Sequence, residues 1–158
     1  MIIGRRLLSI ALGLLFVSAW ALAQARPAQP APSAPPAPSL YKRLGGYDAI
    51  AAVVDEFIGR LAADKQLNRF LVGLSDNSKG HLRQMIVEQS CAATGGSCVY
   101  TGRDMNTAHK GLGITGSDWD LAVKHLSDSL DKFKVPQKEK DEFLAAISSF
   151  KADIVEKP

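Results

Sequence analysis

From Leu40 onward the apolar positions of the chain recur at three- and four-residue steps, the spacing of helices with one buried face. In YDAIAAVVDEFIGRLAAD, Ile50, Val53, Val54, Phe57, Ile58 and Leu61 fall on one stripe. In SDWDLAVKHLSDSLDKFK, Trp119, Ala122, Val123, Leu126, Leu130 and Phe133 do the same. Leu82, Met85, Ile86 and Gln89 share a face of a helix predicted over about 78–93. A last helix is predicted to open with Pro136 at its first position and to run through Phe143, Leu144, Ile147, Phe150 and Ile154. No segment alternates β-branched residues with polar ones, so a sheet is not expected. Breaks fall at Gly45-Gly46, 74–79, Gly95-Gly96 and 111–113. The expected fold class is all-α, with four main helices and short pieces between them.

One stretch does not suit a simple bundle. Between Cys91 and Ile114 stand Gly95, Gly96, Gly102, Gly111 and Gly113, leaving room for a turn or two of helix around Met105 to Lys110. A long irregular connection in a small domain usually serves a function.

Upstream of the helices the composition changes. Arg5 and Arg6 precede the apolar run LLSIALGLLFVSAWALA, which ends in the small-residue pattern Ala21-Leu22-Ala23. This is the pattern of an export signal over 1–23, or of an uncleaved membrane anchor, although the run is short for a full span. The paired arginines leave twin-arginine export open. Residues 24–39 hold six of the eight prolines and read as an extended spacer leading to a folded domain at 40–156. The expected location is the bacterial periplasm, as a released protein or one tethered facing it. Contact with a membrane is expected only through an uncleaved N-terminal segment.

Losing Arg5 and Arg6 with the signal would take the formal net charge from +3 to +1. No concentrated basic patch remains for a phosphate backbone, which excludes nucleic acid as an expected partner. Export would favour a disulfide between Cys91 and Cys98 in CAATGGSC, but spacing alone does not fix their separation. Carboxylates alternate with lysines, as in KEKDE at 138–142, and read as a solvated face.

The only histidines are His81, His109 and His125, with neither the H-x-x-x-H spacing of a helical metal site nor H-E-x-x-H. No serine or cysteine nucleophile can be paired with a base. His125, between Lys124 and Asp128, reads as a surface residue. His109 has Met105 one turn before it and Leu112 and Ile114 after it, which combines an imidazole with an apolar surround. Haem ligation needs that combination, while a helix-capping role for His109 stays open.

Three motifs together resemble the group I truncated haemoglobins. SLYKRLGGYDAIAAVVDEFIGRLAAD is similar to their opening short helix, Gly-Gly turn and following helix. TGG at 94–96 is similar to the break after their distal helix, and YTGRDMNTAHKGLGIT to their proximal segment. The resemblance runs from Ser39 to Val155. It implies a two-over-two helical sandwich around haem b, with His109 as the proximal iron ligand. It also implies haem contacts from Phe57, Phe70 and Leu71, from Leu82, Ile86 and Gln89 on the distal helix, and from Tyr100, Met105, Ile114, Trp119 and Leu126 elsewhere.

The pattern departs from the family on the distal side. Ile58 stands where the family commonly has a tyrosine that hydrogen-bonds bound dioxygen, and Ile86 where it often has a glutamine. Gln89, one turn on, is a candidate replacement donor, and His81 and Met85 are candidate sixth iron ligands. The resemblance thus implies reversible binding of O2, NO or CO. The alternatives are haem redox work (NO dioxygenation, peroxide chemistry or electron transfer with an unidentified reductant) and a haem-free helical interaction module. Oligomeric state is not legible.

Overall fold

The structure, a computed structural model, describes residues 36–157. The expected signal or anchor at 1–23, and most of the 24–39 spacer, lie outside the described residues. Seven helices follow: α1 Leu40–Arg43, α2 Gly46–Ala63, α3 Asp76–Ala93, α4 Met105–His109, α5 Gly116–Lys132, α6 Gln137–Ser148 and α7 Lys151–Ile154. A 3-10 turn at Asn68–Phe70 lies between α2 and α3. No strand forms among the described residues. None of their helices is long and apolar enough to cross a membrane.

α2 is the hub because two stripes on it are apolar. Ile50 and Val54 pack with Val87 of α3, and Ile58 and Ile86 lie against that cluster. Val53 packs with Leu126 and Leu130 of α5 and Phe143 of α6, and Phe57 lies against this second cluster. So α2 and α3 make one layer and α5 and α6 the other, joined through α2 against α5 and α3 against α6. Burying a leucine or phenylalanine at such a position contributes roughly 1.5–3 kcal/mol.

Three expectations change at the edges. Ser39, placed in the spacer by composition, caps α1, its hydroxyl accepting the Lys42 N–H. Pro136 is the N-cap of α6 rather than its first residue, and the single last helix is interrupted at Ser149 and Phe150 before α7. The KEKDE face is not purely solvated, because Glu139 and Glu142 both pair with Arg43 and tie α1 to α6.

Glycine is required in the TGG break. A Cβ at Gly96 would stand 2.5 Å from Cys91 Sγ and 2.7 Å from Tyr41 Cδ2. That close approach lets the Tyr41 N–H donate to Thr94 O at 2.8 Å, closing α1 over the end of α3.

Candidate haem site

α4 is a five-residue helix started by Asp104, whose side chain accepts the Thr107 N–H at 2.8 Å. At its last position the half-buried His109 places Nδ1 2.8 Å from the carbonyl oxygen of Met105, one turn back. A carbonyl only accepts, so Nδ1 carries a proton, and in the neutral ring that leaves Nε2 its lone pair. A hydrogen bond behind the ring, with the other nitrogen free, is the arrangement of metal-bound histidines. The ring bonds a carbonyl inside α4 rather than an orphan group at its end.

The connection leading to α4 is fastened at several points. Cys91 and Cys98 are joined by a disulfide, with Cα atoms 5.8 Å apart, so the end of α3 is tied to the loop. Thr101 donates from N–H and hydroxyl to Glu88 Oε2 at 3.2 and 3.1 Å. The Tyr100 hydroxyl donates to Arg103 O at 2.7 Å, which engages that side chain in its own turn. Closing a loop this short with a disulfide stabilises by roughly 2–3 kcal/mol through the unfolded chain. Reduction is therefore expected to lower the urea unfolding midpoint, and coincident curves with and without dithiothreitol would contradict that.

α3 has two faces. Val87 and Cys91 are fully buried in protein, whereas Leu82, Met85, Ile86 and Gln89 are only half-buried. Spaced at 0, 3, 4 and 7, these four make one helical face that protein covers incompletely. Phe57, Phe70, Leu71 and Met105 are half-buried as well. Arg69 stacks over the Phe70 ring, 4.4 Å from its centroid. A large apolar group beside an imidazole with a free nitrogen fits this donor set and this half-covered face, and haem is such a group.

Other expected residues are distributed differently. Ile114 and Trp119 are buried, and Leu126 lies inside the α5–α6 cluster. His81 is exposed on α3, while Met85 lies on the half-covered face. His125 is not a surface residue. Its side chain is largely buried against α2, with Nε2 2.9 Å from Asp64 Oδ2 and Nδ1 buried without a partner. Asp64 also accepts the N–H groups of Gln66 and Leu67, and with the His125 contact first these hold its carboxyl below the usual carboxylate range.

A separate apolar hollow of about 160 Å³ lies between α2, α5 and α6, lined by Leu44, Ile50, Val53, Leu130 and Phe143. It offers no iron ligand.

Spacing around His109 did not reveal Asp118. This buried carboxylate accepts from Gln66 Nε2 at 2.8 Å, Arg69 at 2.7 Å, and the Thr115 N–H and hydroxyl at 2.9 and 2.7 Å. Burial raises its carboxyl, but these donors outweigh burial and hold it far below the ordinary value. The usable signal was the capping-box spacing of Thr115 and Asp118 at the start of α5.

A family model described as bacterial-like globin matches residues 39–156. The group 1 truncated haemoglobin of Mycolicibacterium paratuberculosis is 38% identical over 133 residues, covering 84% of this chain and 90% of that protein. The 2/2 haemoglobin of a Synechococcus species, solved in the cyanomet state with covalently attached haem, superposes with a TM-score of 0.68. It is 29% identical, over 75% of this chain and 98% of that one. A ferric truncated haemoglobin from Tetrahymena pyriformis has the same fold, with a TM-score of 0.69 over 75% and 98% of the two chains. The chain belongs to the bacterial-like globin family, among the group 1 truncated haemoglobins. Its cofactor is haem, its layers are the two-over-two sandwich of that fold, and its general activity is haem-based gas binding.

Proposed function

We propose that the chain binds a diatomic gas, O2, NO or CO, reversibly at haem b whose iron is held by His109 Nε2. The observation that carries this reading is the 2.8 Å bond from Nδ1–H to Met105 O, which leaves Nε2 as the free nitrogen. Bound haem supplies iron with a position for a small ligand. His109 would hold that iron, and the bond from its Nδ1 to Met105 O keeps the ring from rotating. Leu82, Met85 and Ile86, on the half-covered face of α3, would cover the porphyrin and exclude water.

On the gas side Ile58 and Ile86 bring hydrocarbon where a donor would select for the more polar gas. Bound dioxygen gains more from a donor than carbon monoxide does, so this side discriminates weakly between them. The apolar leader supports placing the activity outside the cytoplasm, in a bacterial periplasm.

The test is the optical spectrum of the ferrous holoprotein. A five-coordinate high-spin form that takes up CO supports the reading, and absence of a Soret band after hemin addition would end it. A six-coordinate low-spin ferrous form would favour redox work instead. Met85 is the residue to replace first in that case, being on the half-covered face while His81 is exposed. That work requires an external reductant.

Ile58→Tyr should restore a donor and slow O2 release about tenfold to a hundredfold, the worth of roughly 1.5–3 kcal/mol in one hydrogen bond to a charged acceptor. CO release should change far less. Equal effects on the two gases in stopped-flow measurements would place residue 58 away from the ligand.

A further inference from the structure

The turn that follows His109 is held from the other end of the chain. α4 stops at Lys110, and Gly111 and Gly113 then take φ of 85° and 65°, where an L side chain would be strained. Both of their N–H groups end on one carboxylate. Glu156 accepts the Gly111 N–H at Oε1 and the Gly113 N–H at Oε2, the second at 2.9 Å. Leu112 N–H donates to His109 O at 3.1 Å, so the backbone of His109 is part of the same turn.

Glu156 is itself fixed in place. Its N–H and that of Lys157 both donate to Ile114 O, at 2.9 and 3.2 Å, and Gly116 N–H donates to Lys157 O at 3.0 Å. These bonds lay the tail beside Thr115 as a short parallel bridge, and α7 packs on α4. An anionic acceptor shared by two backbone donors makes charge-assisted bonds, which hold direction better than neutral ones. The carboxylate and Gly111 are exposed and Gly113 is half-buried, so water can reach the Glu156 side chain and a substitution there should leave the fold standing.

We propose that Glu156 is a positioning residue for the proximal ligand. By fixing the turn that ends α4, it sets the angle at which the His109 imidazole meets iron. This rests on the reading of His109 as the iron ligand. The ring is then held twice, by Met105 O behind it and by the Glu156-bound turn after it, and the second restraint can be removed without touching the first.

The experiment compares wild type, Glu156→Ala and Glu156→Gln as full-chain ferrous holoproteins by resonance Raman, using the photolysed CO complex so that any sixth ligand is out of the way. Glu156→Ala should shift or broaden the iron–histidine stretching band. It should also speed haem loss about threefold to tenfold, less than the 10- to 100-fold cost of losing the bond behind a metal-bound histidine, because Glu156 holds the turn and not the ring. Glu156→Gln, which keeps one acceptor oxygen, should fall between. Amide exchange at Gly111 and Gly113 should quicken in the alanine variant. An unchanged band beside quickened exchange would overturn the proposal, leaving Glu156 as a fastener of a surface turn, and unchanged exchange would overturn it too. His109→Gly separates the two readings. If the band persists there, the ligand assignment is wrong; if it vanishes there but stays unmoved in Glu156→Ala, only the role of Glu156 fails.

Discussion

Replacing His109 with glycine is expected to abolish stable haem retention, and added imidazole is expected to restore it in part. The substitution removes the nitrogen that the Met105 carbonyl leaves free and opens a space the size of the ring. Altering only the hydrogen bond behind a metal-bound histidine commonly costs 10- to 100-fold in affinity, so losing the ligand itself should raise the haem transfer rate to apomyoglobin by more than about a hundredfold. Imidazole diffusing into the space would ligate iron without a covalent link to α4. Chemical rescue of the five-coordinate spectrum would thus show that the lost function was ligation. If the glycine variant held haem as wild type does, a different residue would be the ligand. Half-buried Met85 would be the first to consider, and the half-covered face of α3 would then have to be reread as the proximal side.

His109 could be singled out as a candidate because its signal is local: a histidine after a short capped segment, followed by glycines, in a motif resembling a known family. The α2 stripe was legible for a similar reason, since Ile50, Val54 and Ile58 repeat at helical spacing and do face α3. Partnerships across the chain were not legible. Asp64 and His125 are 61 residues apart, so nothing beside His125 distinguished it from the solvated Lys124–Asp128 ion pair that flanks it. Glu156 carries no local spacing signal, because its two acceptor atoms meet donors 45 and 43 residues earlier. The break at Ser149 was hidden because Phe150 and Ile154 keep the apolar spacing across it. Periodicity reports which face is apolar and is silent about whether the helix continues.

The second large effect should come from Asp118→Ala, which is expected to lower stability at neutral pH by about 2–4 kcal/mol, the range for stripping a buried, fully hydrogen-bonded charge from its partners. Asp118 is 2% exposed, and four donors from two parts of the chain converge on it. Its loss would unmake the capping box of α5 and release Gln66 and Arg69, the link between the 3-10 turn region and the helix that follows the His109 turn. Arg69 is half exposed, so most of the loss should come from the Thr115 and Gln66 bonds rather than the ion pair. The pH dependence carries the identifying sign. The folded carboxyl lies well below its unfolded value of about 3.9, so the unfolded chain binds the extra proton first. The contribution of Asp118 should therefore be fully present above about pH 5 and decline as pH falls below about 4. The surface carboxylates with depressed values, such as Asp55 beside Arg83, should add little to that slope. Urea unfolding of the ferric holoprotein at pH 7 and pH 3 decides it: the gap between wild type and Asp118→Ala should narrow at the lower pH. A gap that stayed constant would mean the variant destabilises by lost packing and not by lost charge. Because Thr115 directly follows Ile114, to whose carbonyl the C-terminal tail is bonded, the same variant should also loosen the Glu156 contacts. Faster amide exchange at Gly113 in Asp118→Ala would show that the two restraints on the segment after His109 act through one turn.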